Sequence, residues 1–145
     1  MILTLEGTPA AVGRAVEAVR RFALGNGLGE AKAAALGVAV DEAVTNVVRH
    51  AYDGDPARSL TLSLSAGRDA VQVDILDNGH PFDPLAGEAA LPEGGAEERD
   101  VGGLGLLLMR ELVDEARYIR DGDRNKLMLR AFVGHSPDRR EPGLA

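Results

Sequence analysis

The chain has no cysteine and no tryptophan, and aromatic residues make up only 3% of its 145 positions. Without cysteine there are no disulfides and no thiolate metal sites, a composition compatible with a reducing cytoplasm. With so few rings, the core has to be built mostly from Leu, Val and Ala. Long apolar runs are also missing, and none reaches the roughly 20 residues needed to cross a bilayer. The opening segment, Met1-Ile2-Leu3-Thr4-Leu5-Glu6, lacks the basic region and apolar stretch of a signal peptide. The expectation is a cytoplasmic protein with no membrane partner. A basic face is missing too: the formal net charge is −7, and Arg20-Arg21 and Arg139-Arg140 are the only adjacent basic pairs. Duplex binding needs a larger cationic footprint to displace counterions, so direct nucleic-acid binding is not expected.

What is present describes a globular domain, with 45% hydrophobic and 27% charged residues. Ile2 to Glu6 alternates and predicts a short strand. Thr8-Pro9 offers a capping hydroxyl and a proline at the first helical position. The helix that follows carries Val12, Val16, Val19 and Phe22 and ends at Gly25-Asn26-Gly27. A second helix is expected from about Glu30 to Ala51. Leu60, Leu62 and Leu64 alternate with polar residues as in a half-buried antiparallel strand. Gly67-Arg68-Asp69 then turns the chain into a strand from Val71 to Asp77. A long loop over roughly 78–102, rich in Gly, Pro and Glu, has the length of a lid, a binding loop or a disordered segment. A third helix is expected from near Gly103 to about Glu115. Tyr118 to Arg120 and Leu127 to Phe132 form two final strands across Asp121-Gly122-Asp123. The fold class is therefore α/β, a two-layer sandwich in which about three helices cover one face of a mostly antiparallel mixed sheet. Residues 1–133 form a single domain, and 134–145 a flexible tail.

Three segments carry candidate chemistry, each with a plainer alternative. On the second helix, Leu36, Val40, Val44, Val47 and Ala51 share the core stripe, whereas Glu42, Asn46 and Arg49 fall on another. That face offers a carboxylate and an amide oxygen to one site, of the hard-oxygen kind that suits magnesium beside substrate phosphates. It is equally the description of a solvated polar face. Val71, Val73, Ile75 and Asp77 share one strand face, so an apolar file ends in a carboxylate that needs donors, and an adenine amino group is one. Gly79 would let a ligand approach the backbone, or Asn78-Gly79 is a hairpin turn. Pro81 and Pro84 argue against a central partner strand directly after it. In Val101-Gly102-Gly103-Leu104-Gly105-Leu106, glycines lead into an apolar helix whose first N–H groups favour phosphate, although a flexible hinge has the same composition.

Together, in order and spacing, Glu42-Ala43-Val44-Thr45-Asn46, Asp77-Asn78-Gly79 and Gly103-Leu104-Gly105-Leu106 resemble the N box and the two glycine boxes of the GHKL (Bergerat) ATPase superfamily. The extended forms are similar to the anti-sigma-factor serine/threonine kinases of bacteria: Asp41 to Asn46 with His50-Ala51-Tyr52, Asp77 to Pro84, and Gly103 to Arg110. The resemblance runs from the first helix to Phe132. It implies ATP and Mg, with Asn46 holding the magnesium and Asp77 accepting from the adenine amino group. Gly79 leaves room for the ring, and Gly103, Leu104, Gly105 and Leu106 lie along the phosphates. Glu42 is the implied catalytic base. Where the family often has Gly-Thr or Thr-Thr, this chain has Arg124-Asn125-Lys126, and Asn125 is the candidate replacement. The implied partners are a sigma factor, an anti-anti-sigma protein of the STAS fold and a second copy of the chain. Two other readings share these motifs: a non-catalytic ATP-binding partner-switching module and a detached histidine-kinase catalytic domain.

Overall fold

The alternating leucines do what their spacing predicts. In the computed structural model, which describes residues 1–52, 55, 58–86 and 109–134, strand β2 (Ser59–Ala66) buries Leu60, Leu62 and Leu64 on one face. Strand β3 (Ala70–Asp77) buries Val71, Val73, Ile75 and Asp77 in the same way. With β1 (Ile2–Glu6), β4 (Glu115–Asp121) and β5 (Arg124–Phe132) they form a five-stranded sheet in the order β1-β2-β3-β5-β4. Each neighbouring pair is antiparallel. The sheet is thus simpler than the mixed one expected. β4 and β5 are joined by a two-residue turn in which Gly122 has φ +63°, a conformation glycine adopts without a Cβ penalty.

Helix α1 (Pro9–Gly25) starts as its sequence dictates, with the Thr8 hydroxyl accepting from Ala11 N at 3.3 Å. Its end is also as expected. The Asn26 side chain donates to Phe22 O at 2.8 Å, and Leu28 N reaches Ala23 O at 3.0 Å across Gly27, which has φ +95°. Its buried stripe is mostly alanine. Ala11, Ala15, Val19 and Ala23 face inward, and Val12, Val16 and Phe22 flank them. Short side chains let α1 approach α2 (Glu30–Asn46) closely. A Cβ on Gly37 of α2 would lie 3.1 Å from Arg20 Cγ and 3.3 Å from Val16 Cγ1.

The second helix covers the expected span but changes character near its end. After Asn46 it widens into a π-helical turn, Val47–Ala51, closed by Tyr52 N donating to Val47 O at 2.9 Å. Leu36, Val40 and Val44 pack between α1 and the sheet. The third helix stops earlier than its pattern suggested. Residues 109–112 are helical, and β4 already begins at Glu115. The reason lies in Asp114, whose N–H donates to Arg130 O at 2.9 Å while its carboxylate accepts from Phe132 N at 2.6 Å. That pairing draws the chain onto the sheet edge. Residues 87–108 and 135–145, which include the loop's distal part, the start of the third helix and the tail, lie outside the described residues.

Leu62, in the middle of β2, is fully buried. Leu62→Ala should destabilise the domain by about 2–5 kcal/mol in urea unfolding, because the cavity adds to the lost transfer energy.

Candidate functional site

Two apolar files end at the same place. On β3, Val71, Val73 and Ile75 lead to Asp77; on β5, Ala131, Leu129 and Leu127 lead to Asn125. The register pairs Asp77 with Asn125, so both polar side chains stand at one end of the face covered by helices, 7% and 4% exposed. A polar group at that depth needs partners. Asp77 Oδ1 accepts from Gly79 N and from Asn125 Nδ2, each at 2.8 Å. The first of these is an Asx turn. It answers the hairpin alternative, since β3 pairs with β2 and β5 and not with a strand directly after Asn78-Gly79.

Gly79 also packs closely on its own chain. A Cβ at this position would lie 2.3 Å from the carbonyl oxygen of Ala51 and 2.7 Å from its carbon. The close approach is to the π-helical turn of α2. His80 N donates to that same Ala51 oxygen at 3.0 Å. Tyr52 completes the joint: its buried hydroxyl donates to Ser59 O and lies 3.3 Å from Asn78 Oδ1. Arg58 stacks over its ring at 4.6 Å and donates to Asn78 O at 2.8 Å. Burial pushes the Tyr52 hydroxyl above the ordinary phenol range. Ala51 and Tyr52 are therefore the surface on which Asn78-Gly79 is seated, while His50 stacks on Phe82 with ring centroids 4.9 Å apart.

Asn46 lies one turn before this joint, on the side facing the sheet. It is 3% exposed, and its amide nitrogen Nδ2 has no hydrogen-bond partner. Such an orphan costs about 1–3 kcal/mol and marks a place where a ligand can contribute. Asn46, Asp77 and Asn125 line one cavity with Ala43, Val47, Ala51, Phe82, Pro84, Tyr118 and Leu127. Its walls are largely apolar with a few convergent polar groups, and at about 20 Å³ it has room for a water and not for a purine ring. Glu42 is half-buried one helical turn before Asn46. Its carboxyl is held above its ordinary value of 4.5, first by burial and then by Asp41, against the pull of Arg49. Among the described residues no group of three or more His, Cys, Asp or Glu side chains could hold a metal ion. The amide oxygen of Asn46 is a hard donor of the kind that completes a magnesium shell supplied mostly by phosphates and water.

The structure thus gathers Asn46, Asp77 and Asn125 around one cavity, with Gly79 bonded to Asp77; Glu42 is not among the residues that line it. Gly103, Leu104, Gly105 and Leu106 lie outside the described residues. Sequence reasoning did not single out Phe82, Pro84, Tyr118 or Arg120 as site residues. The signal available for Tyr118 was slight: a tyrosine in a chain with only two needs a partner for its hydroxyl when buried.

The family described as histidine kinase-like ATPase domain matches residues 5–131. The chain belongs to that family. Curated relatives of this ATPase domain include the serine-protein kinase RsbW of Bacillus licheniformis, 36% identical over 86 residues, 57% of this chain and 54% of that protein. RsbW of Listeria innocua is 37% identical over 90 residues, 59% of this chain and 57% of that protein. The chain spans about half the length of these curated relatives. Among solved structures, the RsbU and RsbW domains of a Mycobacterium tuberculosis protein align with a TM-score of 0.64 and 21% identity, covering 94% of this chain and 33% of that one. The histidine kinase domain of a blue-light activated histidine kinase from Erythrobacter litoralis aligns with a TM-score of 0.55 and 19% identity, covering 86% of this chain and 60% of that one. At these identities the structural likeness is one of fold. It agrees with the layered α/β architecture of the histidine kinase-like ATPase domain described above. Among the described residues no helix is long and apolar enough to cross a membrane.

The joint between Gly79 and Ala51 can be tested directly. Gly79→Ala should lower the thermal midpoint by an amount corresponding to about 1–3 kcal/mol, since backbone atoms must shift to admit the methyl group. An unchanged midpoint would refute the backbone contact as the reason for the glycine.

Proposed function

We propose that the protein is a magnesium- and ATP-dependent serine/threonine protein kinase of the anti-sigma type, acting in the cytoplasm. On this reading it sequesters a sigma factor and, as a homodimer, phosphorylates an anti-anti-sigma partner of the STAS fold. The observation that carries the reading is the cavity where Asn46 of the N box meets Asp77 of the first glycine box. It lies within a chain whose ATPase-family match runs from 5 to 131. The relatives named serine-protein kinases support the choice of acceptor.

Each residue then has a task set by its surroundings. Asp77 accepts from the adenine amino group, and Asn125 completes the polar end of the pocket. The apolar walls, including Ala43, Val47 and Leu127, would have to part to take the purine ring, because the cavity is about 20 Å³. Asn46 would hold magnesium through its amide oxygen, and the ion, when bound, neutralises charge on the phosphates. Gly103, Leu104, Gly105 and Leu106 supply backbone donors along the same phosphates. In the transfer, the acceptor hydroxyl oxygen bonds to the γ-phosphorus, the bond from that phosphorus to the bridging oxygen breaks, and ADP leaves. The hydroxyl proton passes to Glu42. Phosphoryl transfer depends mainly on positioning and charge stabilisation, so this short set of groups is sufficient. A carboxyl whose pKa is raised is also a stronger base than an ordinary glutamate.

Incubation with γ-labelled ATP and a candidate STAS-domain protein tests the activity: label should appear on Ser or Thr of the partner, and binding without transfer would favour the non-catalytic module. Glu42→Gln should lower transfer by about 10²–10⁴-fold while Mg-ATP still binds. Because ionised Glu42 is disfavoured by burial, the same variant should unfold at an equal or higher temperature at pH 7, separating chemistry from folding. Transfer by the wild type should fall on the acid side at a pH above the ordinary 4.5 of a glutamate, as Glu42 takes up its proton. Asp77→Asn should weaken ATP by about tenfold or more in calorimetry, because the amide replaces an acceptor with a donor that faces another donor. Unaltered affinity would remove Asp77 from the adenine site.

A further inference from the structure

The cavity beside Asp77 measures about 20 Å³, whereas a space of about 150 Å³ is what holds a single benzene ring. Among the described residues that line it, all but two belong to α2, its π-helical turn or strands β3, β4 and β5. Strand pairing and the core fix those elements in place. The other two, Phe82 and Pro84, come from the segment that follows β3. That segment is fastened on both sides of Phe82. Before it, His80 N donates to Ala51 O at 3.0 Å and Asn125 Nδ2 donates to His80 O at 2.8 Å. Arg120 Nη1 donates to Gly79 O at 2.8 Å and to Asn125 Oδ1 at 3.1 Å. After it, Leu85 is buried in the core, its N–H donates to Asp83 Oδ1 at 2.9 Å, and its carbonyl accepts from Arg110. Pro81 and Pro84 stiffen the stretch between, because each has a fixed φ. The Phe82 N–H is bonded to the Tyr118 hydroxyl, which itself donates to Asn125 Oδ1 at 2.5 Å. The backbone at Phe82 is thus held, and its side chain is the part that can turn. The ring is half-buried and lies on the exposed His50 with the two planes 20° apart. His50 does not line the cavity. Phe82 therefore touches the cavity and His50 at once. An empty apolar space of purine size is costly, and the chain fills it with a ring of its own.

We propose that Phe82 is an internal plug of the purine site: in the free protein its ring, seated on His50, fills the room the purine takes beside Asp77, and nucleotide enters only when that side chain turns away. The proposal rests on the ATP reading above and adds what controls entry. The plugged form does not bind, so the apparent dissociation constant is the intrinsic one divided by the open fraction. Removing the plug therefore speeds association. A phenylalanine that served as a fixed wall against the purine would behave otherwise: its truncation would leave association unchanged and speed dissociation.

Stopped-flow mixing of the full chain with magnesium and an ATP labelled on its ribose with a fluorophore separates the two rates. Phe82→Ala should raise the association rate constant by at least about tenfold, because the open fraction no longer limits it. His50→Ala removes only the seat of the plug and should raise it by about two- to tenfold, the range that loss of an aromatic pair allows. An association rate that Phe82→Ala leaves unchanged or lowers overturns the proposal, whatever happens to dissociation. So does a His50→Ala protein that associates no faster than the wild type. If Phe82→Ala does not fold, Phe82→Leu decides, since it keeps apolar bulk without the stacking: association several-fold faster supports the plug, and an unchanged rate refutes it. A wild type that fails to bind beside a Phe82→Ala protein that binds also supports the plug. Failure of both to bind refutes the ATP reading and the plug with it, whereas binding at equal association rates refutes the plug alone.

Discussion

The hydrogen bond between Asp77 and Asn125 is the constraint on which the site is organised. It joins the ends of two central strands at the point where the apolar face stops, and it connects residues 48 positions apart. A carboxylate at that depth is tolerated only with donors around it. One donor comes from the neighbouring strand and the other from Gly79, whose N–H reaches the same oxygen. Gly79 can occupy its place only because no side chain intrudes on Ala51. The requirements of a single oxygen thus tie the sheet, the loop after β3 and the end of α2 into one unit.

The same unit explains why α2 widens where it does. A π-helical turn lets the chain from Val47 to Ala51 bring the Ala51 carbonyl to His80 N while Tyr52 anchors Ser59 and Asn78. The polar groups nearest the cavity are unevenly satisfied. Asp77 and Asn125 are well supplied with partners, whereas the amide nitrogen of Asn46 has none. Glu42 is held in surroundings that disfavour its charge. The well-partnered groups stand at the end of the sheet, and Asn46 and Glu42 lie along α2. Functional sites characteristically combine these two conditions.

Much of the framework was legible in the residues. The alternation in β2 and β3, the Thr8-Pro9 start of α1 and the turn at Gly122 each depend on contacts only a few residues apart. The buried stripe of α1 was not legible, because valine is more apolar than alanine in isolation. The packing distance between two helices decides which of them faces inward. Nor was the early end of the third helix, which the pairing of Asp114 with Arg130 and Phe132 imposes from the opposite strand.

The candidate site divides along the same line. Glu42, Asn46 and Asp77 could be picked out because their order and spacing resemble the N box and first glycine box of the GHKL superfamily, whereas periodicity alone left each with a plainer reading. Gly79 could be picked out too, but its contact with Ala51 could not. What excludes a side chain there is Ala51, 28 positions earlier in the sequence. Tyr118 and Arg120 carry no motif. They matter because β4 pairs with β5 in a register that places both beside Asn125. The sequence by itself determined which residues could supply donors, acceptors and a base, since those are properties of side chains and local periodicity. Only the tertiary structure decided which of them meet and which way the Asn125 amide points, because hydrogen-bond partners are assigned by the pairing of strands distant in the chain.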